Sequence, residues 1–183
     1  MNDEILYQKY LSGDQEAADT LVKRYADSLV LYIDGYIDDF HEAEDLMIEA
    51  FARMFAKSRP IHEEGCFKAY LYKVGRNLAC RHKQRRKILW LSFDELTFDL
   101  HDIKEHEQSF FQNEQNRQLY LAMKQMKQEY QEVLYLVYFE GMKYTDAAKV
   151  MGKSVSQITN LVFRGKKSLR RLLEKEGFEY EIE

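Results

Sequence analysis

Proline occurs once in the 183 residues, glycine eight times and cysteine twice. So few chain breakers argue against a turn-rich β architecture and predict helices almost throughout, an all-α fold. Cys66 and Cys80, if they share a helix, stand about 21 Å apart at ~1.5 Å rise per residue, beyond disulfide reach. His41, His62, His82, His101 and His106 are scattered, and no Cys or His cluster has zinc spacing, so neither a metal nor any other cofactor is expected. There is no nucleophile–base pair and no glycine-rich phosphate loop, which speaks against an enzyme. No window approaches the ~18 uninterrupted apolar residues of a membrane span. The opening MNDEILYQKY is acidic where a secretory leader is basic and then apolar. A cytoplasmic location with no direct membrane insertion is the expectation.

What is present is globular: 45% hydrophobic and 32% charged residues, enough mass for one domain or two small ones. The formal net charge of −4 hides a strong segregation. Residues 1–64 carry 15 Asp and Glu against 6 Lys and Arg, whereas residues 65–93 carry eight Lys and Arg and no acid at all. Residues 94–140 return to acidic and residues 141–183 to basic, 9 against 6. Two basic blocks alternating with two acidic ones suit two nucleic-acid contact surfaces on a body that also meets a non-DNA partner.

In chain order, Asp3 to Leu11 reads as a short helix closed near Ser12 and Gly13. Ser12 with Gln15 has capping-box spacing for a long second helix whose apolar residues recur at Ala18, Leu21, Val22, Tyr25, Leu29 and Ile33. Asp34 to Phe40 is expected to break it. The next segment has the cleanest period: Ala43, Leu46, Met47, Ala50, Phe51, Met54 and Phe55 step by three and four as a core stripe. Its outward face holds Glu42, Asp45, Glu49, Arg53 and Lys57, with Glu49 and Arg53 placed for an i,i+4 pair. By periodicity alone that face is simply solvated. Ser58 to Gly65, with the one proline, reads as a loop.

The acid-free block follows. On a helix starting at Phe67, Phe67, Leu71, Val74 and Leu78 fall within about 60° of one another at ~100° per residue, an apolar spine. Opposite it the same geometry puts Tyr72, Lys73, Arg76, Lys83 and Lys87, near Arg86. A cationic face broken by an aromatic ring suits nucleic acid, because the cations displace phosphate counterions and a ring stacks on an unpaired base. A solvated basic helix is the plainer alternative. Trp90, Leu91 and Phe93 end this unit, and the acidic, aperiodic stretch after Asp94 reads as a linker.

Periodicity resumes in two amphipathic helices, Arg117 to Met126 and Glu129 to Phe139, the second ended by Gly141. Thr145 to Met151, a turn at Gly152 and a capping box at Ser154 and Gln157 lead into the last long helix. There Ile158, Leu161, Val162, Gly165, Leu169 and Leu172 face inward. Gln157, Asn160, Arg164, Lys167 and Arg171 share the opposite face. This is the pattern of a helix-turn-helix, with an amphipathic hairpin as the alternative. Gln and Asn can meet an adenine edge with two hydrogen bonds, Arg can do so with guanine, and Lys anchors phosphates.

Three segments, in this order, resemble the extracytoplasmic-function (ECF) sigma factors of bacterial RNA polymerase. EAEDLMIEAF, Glu42 to Phe51, is similar to the family's acidic helix. FKAYLYKVGRNLACRHKQRRK, Phe67 to Lys87, is similar to its aromatic and basic promoter-melting helix, here with the pair Arg76 and Asn77. Glu140 to Leu173 is similar to its C-terminal helix-turn-helix. The resemblance implies an RNA polymerase sigma factor that directs promoter recognition, strand opening and transcription initiation. It implies a region 2-like domain over residues 1–93, a linker over 94–116 and a region 4-like domain over 117–177. Glu42, Asp45 and Glu49 would then bind core RNA polymerase. The loop from Ser58 to Cys66 and the helix carrying Tyr72, Lys73, Arg76, Asn77, Lys83 and Arg86 would open and hold the downstream element of promoter DNA, including an extruded base. Gln157, Thr159, Asn160, Arg164 and Lys167 would read the upstream element, and an anti-sigma factor becomes a possible second partner. The chain departs from the family pattern at Met126-Lys127, where Leu-Pro is usual, and at Ile48, Arg81, Thr159 and Leu161, which bears on the promoter sequence read. Two other readings compete: a helix-turn-helix regulator that does not join core polymerase, and a helical enzyme or RNA-binding adaptor.

Overall fold

A computed structural model describes residues 2–57, 61, 66–92 and 114–175. The expected loop at Ser58 to Gly65 (apart from Ile61), Phe93 and the linker up to Asn113 lie outside the described residues. All regular structure among the described residues is helical, and it falls into two units.

The first unit holds α1 (Asp3–Leu11), α2 (Gln15–Ile37), α3 (Phe40–Ala56) and α4 (Cys66–Ser92). Three of its helix starts are capped by side chains that satisfy otherwise orphaned amides, each worth about 1 kcal/mol. Asn2 accepts from the Glu4 amide, Asp14 from Ala17 and Asp39 from Glu42. The cap of α2 is therefore Asp14 and not the expected Ser12, whose hydroxyl instead donates back to the Gln8 carbonyl at 3.0 Å. Nor does Asp34 break α2. The helix runs through it to Ile37, with Asp34 itself buried, and stops where Asp38 takes up left-handed backbone at φ 53°.

The core of this unit forms where α2, α3 and α4 pack on one another and α1 closes over α2 and α4. Leu21, Leu29, Ile33, Ala43, Ala50, Phe67, Leu71 and Ala79 are all fully enclosed. Close approach of α4 to α2 depends on Gly75, where an added Cβ would stand 3.0 Å from the Leu29 side chain and 3.5 Å from Ile33.

The second unit comprises α5 (Glu114–Lys124), α6 (Gln128–Leu134), a π-helical segment (Tyr135–Phe139), α7 (Tyr144–Met151) and α8 (Val155–Lys175). Helix α5, expected from Arg117, starts three residues earlier, at Glu114. The helix expected to end at Phe139 widens at Tyr135, so that the Glu140 amide reaches the Tyr135 carbonyl at 3.0 Å. Gly141 and Gly152 sit at φ 61° and 64°, turn positions a side chain would strain. Ile158, Val162, Gly165 and Leu173 are buried, and Leu134 of α6 lies 3.2 Å from where a Cβ at Gly165 would sit.

Candidate nucleic-acid interface

Helix α8 carries the polar face that the sequence predicts, whereas of its expected apolar set Leu161, Leu169 and Leu172 are only half-buried and Leu173 is enclosed in place of Leu172. Its polar face carries Gln157, Thr159, Asn160, Arg164, Lys167 and Arg171, all exposed, and its apolar face packs on α6 and α7. The capping box forms in full, with the Ser154 amide donating to the Gln157 side-chain oxygen at 2.8 Å and the Gln157 amide donating to Ser154 Oγ at 3.2 Å. Thr159 donates its hydroxyl to the Val155 carbonyl at 3.0 Å, the back-bond common to threonine within a helix. Lys153, in the turn, is held by Glu129 of α6 at 2.7 Å, so the turn that aims α8 is tied to the helix beneath it.

One residue on this helix escaped the periodic reading. Phe163, beside Arg164, is 71% exposed although nothing in a helical wheel requires an aromatic there. A ring at the edge of a basic helix can meet a thymine methyl group. Lys166 is engaged differently: its ammonium lies 4.9 Å from the Tyr138 ring centroid, and the hydrogen bond to Tyr138 raises it above the ordinary lysine range.

Helix α4 corrects one expectation. Tyr72 is fully buried, its hydroxyl sharing a hydrogen bond with Ser28 Oγ at 2.8 Å and its ring 5.1 Å from Tyr32. It does not stand on the cationic face. The cause is that α4 is buried on more than its spine: it packs against α1, α2 and α3, so Ala69, Tyr72 and Ala79 are enclosed along with Phe67, Leu71 and Leu78.

Of the remaining candidates, Lys73, Asn77 and Lys83 are exposed and Arg76 and Arg86 half-exposed. They are not one cluster. Lys73 and Asn77 line a cleft of about 590 Å³ between α3 and α4, together with Arg53, Ala56, Lys57, Tyr70, Val74 and Arg81. Arg86 stands instead near the Asp39 carboxylate at 3.8 Å, and His82 near Glu42 at 3.7 Å. The cleft therefore gathers four cationic side chains, an amide and a phenol. The Lys57 ammonium lies against the Tyr70 hydroxyl, one residue from each wall. Sequence reasoning placed Arg53 and Lys57 only on a solvated face, because nothing in the spacing says that the end of α3 meets the start of α4.

On α3, Glu42 and Asp45 are exposed and Glu49 half-exposed, and Arg53 reaches Glu49 at 2.5 Å as the spacing required. Ile48 lies among these carboxylates 61% exposed. The helix is thus acidic at its start and basic at its end, where it borders the cleft. Cys66 and Cys80 are both free thiols on α4. Among the described residues no group of three His, Cys, Asp or Glu could hold a metal ion, and no helix is long and apolar enough to cross a membrane.

Sigma-70 region 2 matches residues 21–88, spanning the greater part of α2, all of α3 and the greater part of α4, and sigma-70 region 4 matches residues 116–169. The chain belongs to the sigma-70 family and is an ECF sigma factor. It is similar to the RNA polymerase sigma-H factor of Pseudomonas aeruginosa, 25% identical over 181 residues covering 94% of each chain. It is also similar to the ECF RNA polymerase sigma factor BldN of Streptomyces coelicolor, 29% identical over 171 residues covering 92% of this chain and 64% of that one. The all-helical fold matches that of CnrH, solved in complex with the cytosolic domain of CnrY (TM-score 0.66, 21% identity, 94% of this chain and 97% of that one). It matches as well the sigma factor RpoE in complex with the anti-sigma factor NepR from Bartonella quintana (TM-score 0.63, 19% identity, 85% and 96%). In this sigma factor, α4 with its cleft falls in region 2 and α8 in region 4.

Proposed function

We propose that this sigma factor joins core RNA polymerase through the outward face of α3, opens the downstream promoter element along α4 and reads the upstream element with α8. Region 2 then occupies residues 1–93 and region 4 residues 117–177, on either side of a linker. The observation that carries the reading is the separation of charge on one chain: an acidic outward face at Glu42, Asp45 and Glu49, a cationic cleft at Lys73 and Asn77, and an exposed polar face on a capped α8. Acidic groups cannot approach a phosphate backbone, so the first surface suits a protein and the other two suit DNA.

The division of labour follows from the chemistry of each surface. The cleft offers cations for phosphates and, at Asn77 and Tyr70, polar and aromatic groups for a base. An extruded base costs a few kcal/mol, which such contacts offset. Arg76, Lys83 and Arg86 extend the positive field along α4 outside the cleft. On α8, Asn160 and Arg164 offer base-edge contacts while Lys167 holds the backbone. The protein supplies binding and strand separation and performs no bond chemistry of its own. It acts in the cytoplasm with the polymerase. The complex of the sigma factor RpoE with the anti-sigma factor NepR supports an anti-sigma factor as a second partner.

The test is transcription in vitro with purified core polymerase and a library of promoter sequences, beside capture of core polymerase by the tagged sigma factor. We expect retention of core polymerase, start-site selection on a subset of templates, and weak binding of duplex DNA by the free protein. A chain that binds a specific duplex tightly alone and ignores core polymerase would instead be a conventional helix-turn-helix regulator.

A further inference from the structure

Helix α1 holds both walls of the cationic cleft. Tyr7 donates its hydroxyl to the Met54 carbonyl at 3.1 Å, and Tyr10 donates to the Phe55 carbonyl at 3.4 Å. Both carbonyls belong to the last turn of α3, where a helix runs out of its own amide donors. Glu4, 5% exposed, accepts from the Phe67 amide at 3.2 Å. That amide lies in the first turn of α4, where amides are orphaned and a carboxylate is favoured by the helix dipole. One short helix thus bonds to the end of α3 and the beginning of α4.

Two of these residues, Tyr7 and Tyr10, also anchor a ring cluster. Tyr7 stacks on Tyr10 and lies 5.3 Å from Phe67, and Tyr10 lies 4.6 Å from Phe55. The gripped positions interleave with the cleft lining: Met54 and Phe55 stand between Arg53, Ala56 and Lys57, and Phe67 is one turn before Tyr70. Helix α1 is itself fixed on α2, where Asp3 takes both the Arg24 guanidinium and the Tyr25 hydroxyl.

We propose that α1 is a brace that sets the spacing of α3 and α4 at the cleft, and that Glu4, Tyr7 and Tyr10 are positioning residues for promoter opening. The proposal rests on the reading of the cleft as the strand-opening surface. The three residues touch neither DNA nor polymerase in this scheme. Their hydrogen bonds fix where Lys57, Tyr70, Lys73 and Asn77 sit relative to one another, so that the cleft is formed before the strand arrives and no ordering cost falls on the opening step.

The test uses the full-length sigma factor with core polymerase and the variant Tyr7→Phe/Tyr10→Phe, which removes two hydroxyls and keeps both rings. Permanganate reactivity on a duplex promoter should fall about thirtyfold, the effect of losing two hydrogen bonds of ordinary net worth. Core polymerase affinity should be unchanged, and transcription from the same promoter carrying a pre-opened bubble should return to the parent level. Glu4→Gln, which keeps an acceptor and removes the charge, should show the same template dependence with a smaller loss. Should the double variant not fold at the assay temperature, Tyr10→Phe is judged by the same criterion. Parental opening by the variants overturns the brace and leaves the cleft reading intact. An equal loss on duplex and bubble templates also overturns it, because α1 would then merely hold the unit together. If the parent protein with core polymerase opens no promoter, the cleft reading itself fails and the brace with it.

Discussion

Ser154 and Gln157 satisfy each other across the first turn of α8, each backbone amide bonded to the other's side chain at 2.8 and 3.2 Å. Both side chains are exposed, yet they account for two amides that the helix itself cannot satisfy. Ser154→Ala is expected to cost about 1 kcal/mol of stability. Thermal melting followed by circular dichroism should show this as a lowered transition of the region 4 unit. An unchanged transition would mean that water replaces the cap at no cost.

The same bond separates two residues that look equivalent in the sequence. Gln157 already has its side-chain oxygen on the Ser154 amide, so a two-bond contact to adenine competes with the cap; no such bond engages Asn160 among those seen. Asn160→Ala should therefore lose about 1–3 kcal/mol of discrimination at one position of the upstream element. Gln157→Ala should lose less discrimination and more stability. Transcription from a panel of single-base promoter variants measures this, and the reverse order would refute it.

Tyr72 shows where periodicity misleads. Phe67, Leu71 and Leu78 of the expected spine are buried and Val74 is only half-buried at the cleft, but α4 meets three helices, and its buried arc extends round to Tyr72 and Ala79. Tyr72→Phe leaves the ring in place and removes the bond to Ser28, so about 1 kcal/mol of stability should go. Open-complex formation on a promoter should survive. If Tyr72→Phe abolished strand opening while the protein remained folded, the buried ring would have to emerge during the reaction.

The stripe on α3 was legible for the opposite reason. That helix is covered on one side, so Ala43, Leu46, Ala50, Phe51 and Met54 are buried and Glu42 and Asp45 exposed, as a simple wheel requires. The α8 face was legible because cap, turn glycine and apolar spacing agreed. What spacing could not supply was contact between helices. The cleft pairs Lys57 with Tyr70, 13 residues further along the chain, and the grip of Tyr7 on Met54 spans 47 residues. Local signals also competed: Ser12 and Gln15 have cap spacing, but the Asp14 carboxylate reaches the Ala17 amide and takes the role.

The polymerase-facing assignment has one residue that tests it without side effects. Glu49 is bonded to Arg53, so reversing its charge would also set two cations one turn apart beside the cleft. Asp45 is exposed and has no such bond among those seen. Asp45→Lys should leave the melting temperature within a degree or two of the parent, since exposed substitutions cost under about 0.5 kcal/mol, while weakening core polymerase binding several-fold. Competition between tagged parent and variant for limiting core polymerase gives the ratio directly. Equal retention would remove Asp45 from the interface.

The π-helical segment gives region 4 a dependence on alkaline pH. Tyr135 is buried there, stacked on Phe139 at 5.2 Å and edge-on to Tyr120 at 6.4 Å. Burial, and secondarily the charge of Glu140, holds its phenol well above the ordinary tyrosine range. The unfolded chain, whose phenol ionises near its usual value of about 10, gives up this proton first. The contribution is thus complete below that value and is lost as pH rises from it toward the folded pKa, with a limiting slope of roughly 1.4 kcal/mol per pH unit. Urea denaturation at a series of alkaline pH values should show a steeper fall for the parent than for Tyr135→Phe, which has no proton to lose at that position. Parallel falls in the two proteins would show that the phenol ionises as readily folded as unfolded, and that the π segment opens before it is titrated.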